Sequence, residues 1–461
     1  MLEKIKIPHT IALIFMFIAI VAALTWIIPA GQFDTMKNEA GRTIVVADSY
    51  HRIESNPQGI FAFLLAPIKG MVAVAEIIAF VFLVGGVFAI IYKTGAVTTF
   101  ITRITKKLGK NEILIIPILM LLFSMGGAVF GMCEETLPFI ILLIPFCFAL
   151  GYDSIVAVTI AWVGSGLGFS AAMINPFTVQ VAQGIAELPP VSGWWYRTIC
   201  WFVITTTGII FTMLYARKIK KNPKASPVYE SDLKLKKEHP EFDQEETKMT
   251  TSHYLVLISF TLGMIMLVVG VMKWGWYIEE IAALFVAIGL VCGIVSRMGI
   301  NKMAETFAEG AKDMVAAAII IGFARAILVV ASDGHIIDTI LYYLSNLASG
   351  LPAIVSSWIM FIVQTFINFF VPSGSGQAAL TIPIMAPLGD LIGVSRQVTV
   401  LAFQFGDGFT NMINPTHGVL LGCLLIAKIP WITWAKWILP LQLLLSLLAF
   451  IFLAIAVMIG F

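Results

Sequence analysis

Two copies of the tetrapeptide Met-Ile-Asn-Pro, at Met173 to Pro176 and Met412 to Pro415, lie inside stretches otherwise apolar enough to be membrane helices. Proline lacks a backbone N–H and pushes the preceding residue out of the helical region, so each copy is expected to break its helix. A break at bilayer depth exposes the N-terminus of one half-helix and the carbonyls that end the other. Anionic groups can rest on the first. The carbonyls and the side chains of Asn175 and Asn414 suit a desolvated cation, so a cation site is expected near these two residues. A plain kink is the simpler reading of one copy, and duplication favours a site.

Ionisable groups are costly inside a membrane and concentrate where function needs them. The candidates are Glu76, Glu134, Glu135, Arg325 and Asp407. Glu134 and Glu135, followed by Thr136, occupy the tip between two apolar arms, where they bind substrate or a proton or else cap the arms. Asp407 and Asn411 come just before the second break. His417, just past it, could donate to a carboxylate or shuttle a proton, although a satisfied buried histidine is the commoner fate. Glu76 and Arg325 fall in spans that an internal repeat makes equivalent, and a structural ion pair between or near them competes with contact to a ligand. A doubly anionic ligand would face Glu134, Glu135 and Asp407 with only Arg325 surely positive, and like charges in low dielectric repel strongly. An amino acid fits better, its carboxylate on helix N-termini and its cationic groups on the acids. Since a midplane carboxylate stays charged only when a cation pairs with it, substrate and proton are expected to compete for these acids.

The elements that must position these residues follow from composition. With 59% hydrophobic and 12% charged residues and a mean hydropathy of +0.94, the chain is a polytopic membrane protein. The first apolar run, Ile11 to Pro29, follows Lys4 and Lys6 and reads as a span rather than a cleaved leader. Further spans are expected near 72–92, 198–216, 253–272, 278–297, 311–331 and 438–460. Five cysteines without C-x-x-C spacing indicate neither a zinc site nor a disulfide framework. A net charge of +2 points to no nucleic acid. The segment Arg217 to Lys248 opens with five basic residues, which places it in the cytoplasm as a mobile, charged linker. It divides the chain into a first half, 1–216, the linker, 217–250, and a second half, 251–461.

The halves align. Gly95 pairs with Gly334, Pro145 with Pro387, Gly151 with Gly393 and Trp195 with Trp434, and "GFSAAMINP" matches "GFTNMINP" with one gap. Colinear matches of this kind indicate duplication. Arg103, Lys106, Lys107 and Lys110 mark a cytoplasmic segment in the first copy, while Asp333, His335 and Asp338 occupy the equivalent, external segment of the second. The copies are therefore expected upside down relative to each other, with the N-terminus inside and the C-terminus outside. Each contains two arms, each too short to cross alone, around a polar tip: 113–150 with Ser124, glycines and Glu134–Glu135, and 351–389 with Ser373, Ser375 and Gln377. Both read as re-entrant hairpins lining a protein-enclosed cavity. Broken helices at 154–186 and 395–427 follow them. The expected fold is an all-α polytopic membrane protein, an inverted-topology repeat with two opposed re-entrant hairpins and two broken transmembrane helices.

Hairpin, broken helix and inverted repeat together resemble the ion-transporter superfamily. The chain is most similar to its YfcC-like branch, related to the anaerobic C4-dicarboxylate carriers and often described as basic amino acid antiporters. The resemblance covers nearly the whole chain, with "MINPFTVQVAQ", "VPSGSGQAALTIPIMAPL" and "GFTNMINPTHG" its most specific parts. It implies an elevator-type carrier of the bacterial cytoplasmic membrane, a homodimer, a small carboxylate-bearing substrate and a coupling ion, sodium or a proton, with no other cofactor. A cationic amino acid such as arginine or ornithine is favoured, with a C4-dicarboxylate as the alternative. A channel is a weaker rival, because inverted duplication favours alternating access. No phosphate loop, metalloprotease motif or serine triad suggests an enzyme.

Overall fold

The computed structural model describes residues 10–37, 43–46, 48–238, 249–347 and 350–461, so Lys4, Lys6 and part of the linker lie outside the described residues. Helix α1 (Thr10–Ile27) leads into four short strands, β1 (Gly31–Gln32), β2 (Thr35–Lys37), β3 (Thr43–Val45) and β4 (His51–Arg52). There follow α2 (Ile60–Ala73), α3 (Ala75–Lys93), α4 (Ala96–Leu108), α5 (Ile115–Phe130) and α6 (Thr136–Ala149). Next come α7 (Ser154–Val158), a π-helical turn (Thr159–Val163), α8 (Gly164–Ser170) and, beyond the first Met-Ile-Asn-Pro, α9 (Val179–Ile185). Helix α10 (Trp194–Lys221) closes the first half, and α11 (Tyr229–Glu238) lies in the linker. The second contains α12 (Thr251–Trp274), α13 (Ile278–Val295), α14 (Ile300–Asp313), α15 (Val315–Asp333), α16 (Ile337–Asn346), α17 (Ala353–Phe370) and α18 (Gly374–Leu391). It ends with α19 (Arg396–Asn411), the second break, α20 (Gly418–Ile426) and α21 (Trp431–Met458).

Among the described residues nine helices are long and apolar enough to cross a bilayer, and the chain is a multi-pass membrane protein. Each span expected from hydropathy coincides with a helix. The expectation that every hairpin arm is too short to cross fails for two of them, since Glu112–Phe130 and Ala353–Phe370 both qualify by length and hydropathy. The first misreading has a packing cause. Ser124 to Phe130 looks like part of a tip, yet it stays helical because its glycines serve a helix crossing: a Cβ on Gly127 would strike the Ser165 carbonyl, and one on Gly168 would strike that of Ser124. Helices α17 and α19 cross in the same way at Gly406, where a Cβ would lie 2.5 Å from that of Gln364. Between α3 and α14, a Cβ on Gly85 would lie 2.8 Å from the Gly310 carbonyl oxygen.

The all-α membrane fold carries one small addition, two antiparallel ribbons in which β1 pairs with β4 and β2 with β3. These dock on α16, where the Phe33 N–H donates to Asp338 at 3.0 Å and Tyr50 stacks on Tyr342 at 4.1 Å. The described part of the linker is folded rather than mobile. Asp232 of α11, buried, accepts from the Ser154 N–H at 2.9 Å and its hydroxyl at 2.6 Å, while the Ser226 hydroxyl donates to Asp153 at 2.6 Å. Val228 and Leu235 are buried beside this cluster, and Lys236 lies 4.6 Å over the Phe148 ring. A run read as solvated charge thus hides two apolar anchors and an acid that meets the N-terminus of α7.

Candidate functional site

The link between α5 and α6 is built around one backbone position. Gly131 closes α5 in the left-handed region, φ 74°, and a Cβ there would lie 2.7 Å from the Asn175 Oδ1, so both conformation and crowding require glycine. Asn175 is fully buried. Its Oδ1 accepts from the N–H groups of Phe177, 2.8 Å, and Thr178, 3.3 Å, satisfying backbone donors that the break at Pro176 leaves open, and its Nδ2 points to the Gly127 carbonyl at 3.5 Å. The link itself is tied by Glu135, whose Oε2 accepts from the Cys133 N–H at 2.9 Å, and by the Thr136 hydroxyl donating to the Cys133 carbonyl at 2.6 Å.

The second break repeats the construction. Asn414 accepts at Oδ1 from the Thr416 N–H at 3.1 Å and hydroxyl at 2.8 Å, and donates through Nδ2 to the Asn368 carbonyl of α17 at 2.9 Å. Asn368 donates in turn to the Asp407 carbonyl, 2.9 Å, and the Asn411 Oδ1, 2.7 Å. The Asn411 Nδ2 approaches the Asp407 Oδ1 at 3.4 Å. Gln377, fully buried, donates to the carbonyl and side chain of Gln364 at 2.9 and 2.8 Å. In both halves an asparagine therefore joins the break to the helix that precedes the polar link, α5 in the first and α17 in the second.

Between these pieces lies a cavity of about 810 Å³. Its walls come from the α2–α3 junction, the α5–α6 link, the first break, the loop before α13, α15, and the link and first turn of α18. Of the residues expected from sequence, Glu134, Glu135, Ser373, Ser375, Asn411 and His417 line it, together with Glu76 and Arg325. Thr136, Asn175, Gln377, Asp407 and Asn414 lie behind the wall, their side chains engaged with protein as described. Glu76 and Arg325 face the same cavity, and among the described residues no ion pair joins them. Sequence reading missed Tyr277, Thr178, Cys133 and Gly374. Gly374 and Thr178 adjoin motifs already noted, whereas nothing local marks Tyr277, which arrives from a loop between ordinary spans.

The lining divides by chemistry. Glu134 and Glu135 supply negative charge from the α5–α6 link. Arg325 supplies positive charge from α15, and Gly374 to Gly376 present first-turn N–H groups of α18 that have no intrahelical acceptor. His417 caps α20 by accepting from the Leu420 N–H at its Nδ1, 3.4 Å, and its ring lies 5.2 Å from that of Trp162. Accepting at Nδ1 leaves the ring proton of the neutral imidazole on Nε2, which makes that nitrogen a donor. Among the described residues no group of three or more His, Cys, Asp or Glu is placed to hold a metal ion.

The family profile described as C4-dicarboxylate anaerobic carrier matches residues 7–459. The chain is 40% identical to the Escherichia coli K12 protein YfcC, which carries the provisional description basic amino acid antiporter, over 93% of this chain and 92% of that protein. It is 29% identical to a Haemophilus influenzae protein of unassigned function, over 95% and 94% of the two chains. Among solved structures it is similar to the YdaH transporter of Alcanivorax borkumensis, with TM-score 0.44, 15% identity and coverage of 98% and 99%. It is likewise similar to MtrF of Neisseria gonorrhoeae, described with a class of antimetabolite efflux pumps, with TM-score 0.43, 18% identity and coverage of 98% and 95%.

Proposed function

The chain belongs to the C4-dicarboxylate anaerobic carrier family, a family of secondary transporters, and from that premise we propose that it moves an amino acid, cationic ones such as arginine and ornithine best, across the cytoplasmic membrane. The observation that carries this reading is the divided lining of the 810 Å³ cavity. A substrate α-carboxylate meets Arg325, the His417 Nε2–H and the first turn of α18, and a cationic side chain reaches Glu134 on the opposite link. The volume falls in the range usual for small-molecule sites, about 300–1,000 Å³. Transport proceeds by exchange or by ion-coupled alternating access.

The reading extends to architecture. The residues 113–150 and 351–389 act as opposed re-entrant hairpins of an inverted repeat, moving with the broken helices at 154–186 and 395–427 in an elevator-type cycle within a homodimer. Support comes from the paired pinning contacts, Asn175 toward α5 and Asn414 toward α17, and from glycine crossings at the same place in each half. The charge pattern places the N-terminus and linker inside and the C-terminus outside.

A C4-dicarboxylate is the second reading, favoured by the family's description and by Arg325 in the lining. Equilibrium binding of arginine, leucine and succinate to purified protein separates the two. Arginine is expected to bind tightest, and Glu134→Gln to weaken it by roughly tenfold or more while leaving leucine within a few-fold, since a charge-assisted hydrogen bond contributes about 1.5–3 kcal/mol. Tight succinate binding, unchanged by Glu134→Gln, would overturn the amino acid reading. Steady, unsaturable conductance in bilayers would instead make the protein a channel.

A further inference from the structure

Tyr277 lines the cavity from the turn between α12 and α13, and its side chain stays 50% exposed there. The turn that carries it is specified at two points. Gly275 ends α12 in the left-handed region, φ 67°, and the Tyr277 N–H donates to the Glu280 carboxylate at 3.0 Å, which fixes the tyrosine at the start of α13. The Tyr277 ring meets that of Phe177, with centroids 5.5 Å apart and planes tilted by 39°. Phe177 directly follows Pro176, and its N–H is held by the Asn175 Oδ1 at 2.8 Å, so the first break positions this residue as well. The second Met-Ile-Asn-Pro is followed by Thr416, whose hydroxyl is spent on Asn414 and Phe369, so the internal repeat supplies the ring only once. Negative charge surrounds the pair. Glu134 exerts the strongest electrostatic influence on the Tyr277 phenol, with Glu135 and Glu76 acting in the same sense, and all three acids line the same cavity.

We propose that Tyr277 and Phe177 form an aromatic clamp for the distal cation of the substrate, and that this clamp selects a guanidinium over a primary ammonium. The assignment rests on the amino acid reading above and separates two cations which that reading leaves together, arginine and ornithine. The acids by themselves attract any cation, so they do not choose between the two; the rings do. A guanidinium is planar and weakly hydrated, and it can stack one face on a ring while its edge N–H groups form paired hydrogen bonds to a carboxylate. An ammonium is a compact, strongly hydrated charge that must give up water to reach the same ring. The exposed half of Tyr277, beside Glu134, offers the face and the carboxylate together, and Glu76 of α3 adds a second acceptor on the same cavity wall.

The test is equilibrium binding of arginine, lysine, ornithine and ethylguanidinium to the purified, full-length protein and its variants. Arginine is expected to bind about tenfold or more tighter than lysine or ornithine. Tyr277→Leu, which removes the ring, should weaken arginine by roughly five- to thirtyfold and lysine by no more than a few-fold, while Tyr277→Phe, which keeps the ring, should stay within a few-fold of the parent. Phe177→Leu should lower the arginine-to-lysine ratio in the same direction, and it decides the matter should Tyr277→Leu fail to fold. Lysine or ornithine binding as tightly as arginine in the parent overturns the proposal, as does an arginine-to-lysine ratio that survives Tyr277→Leu. Ethylguanidinium that binds the parent and is lost in Tyr277→Leu, in a protein that binds no arginine, upholds the clamp and rejects the amino acid reading. Tight succinate binding with no binding of ethylguanidinium rejects both.

Discussion

Replacing Asn414 by alanine separates two roles that sequence alone leaves joined, holding the second break and touching the ligand. In the structure the side chain makes three contacts, to the Asn368 carbonyl, the Thr416 N–H and the Thr416 hydroxyl. The hydroxyl has a single proton for two acceptors, the Asn414 Oδ1 and the Phe369 carbonyl at 2.7 Å, and gives it wholly to the carbonyl once Asn414 is gone, so two buried backbone groups are left unsatisfied by the substitution. Each such group costs about 1–3 kcal/mol, and partial relaxation brings the expected loss to about 2–4 kcal/mol. With an unfolding entropy of about 2.1 cal/mol/K per residue, a chain of 461 residues loses roughly 1 °C in Tm per kcal/mol, so a fall of about 2–4 °C is expected. The assay is thermal unfolding of parent and Asn414→Ala without substrate, with ligand binding measured on the same samples. Asn175→Ala should lose a similar amount, because it too leaves two backbone groups, the N–H groups of Phe177 and Thr178, without their acceptor. An unchanged apo Tm together with abolished binding would refute this reasoning and make Asn414 a direct ligand.

Two further outcomes are expected. Cys133 lines the cavity and is half-buried while Cys147, Cys200, Cys292 and Cys423 are fully buried, so a small hydrophilic maleimide should modify Cys133 first, and saturating arginine should slow that reaction several-fold. Labelling that ignores every candidate substrate would place the ligand elsewhere. The docking of α11 should depend on pH: burial pushes the Asp232 carboxyl up to about 6 and Asp153 up as well, with Asp153 adding to the shift at Asp232 and Lys236 opposing it. A carboxyl whose folded pKa exceeds its unfolded value contributes stability that is present below the unfolded pKa and lost as pH rises through the folded one. Hydrogen-exchange protection over 229–238, corrected for intrinsic rate, should therefore fall between about pH 4 and pH 7 in the parent and lose much of that dependence in Asp232→Asn, Asp153 keeping its own share. Protection that is flat with pH in the parent would contradict the assignment.

Composition and periodicity determined the membrane class and the positions of the spans, because a helix that meets lipid must be continuously apolar whatever its neighbours are. The breaks were legible from the duplicated Asn-Pro, although proline alone does not force one, since Pro145, Pro383, Pro387 and Pro440 lie inside continuous helices here. Charge marked Glu134, Glu135 and Arg325, which are too costly in a membrane to be incidental, and all three line one cavity. Tertiary structure alone decided what each polar group does there. Asn175 and Asn414 turn inward to backbone groups left open by the breaks, Asp407 withdraws behind the wall, and Tyr277 enters from a distant loop. Gly127, which reads as tip, becomes a helix crossing once α8 lies against it, and the charged segment after the basic run becomes a docked helix, α11, once Ser154 meets Asp232. The physical reason is common to all of them: a hydrogen bond or a close approach is a property of two groups, and its second partner lies elsewhere in the chain, at a distance no local pattern encodes.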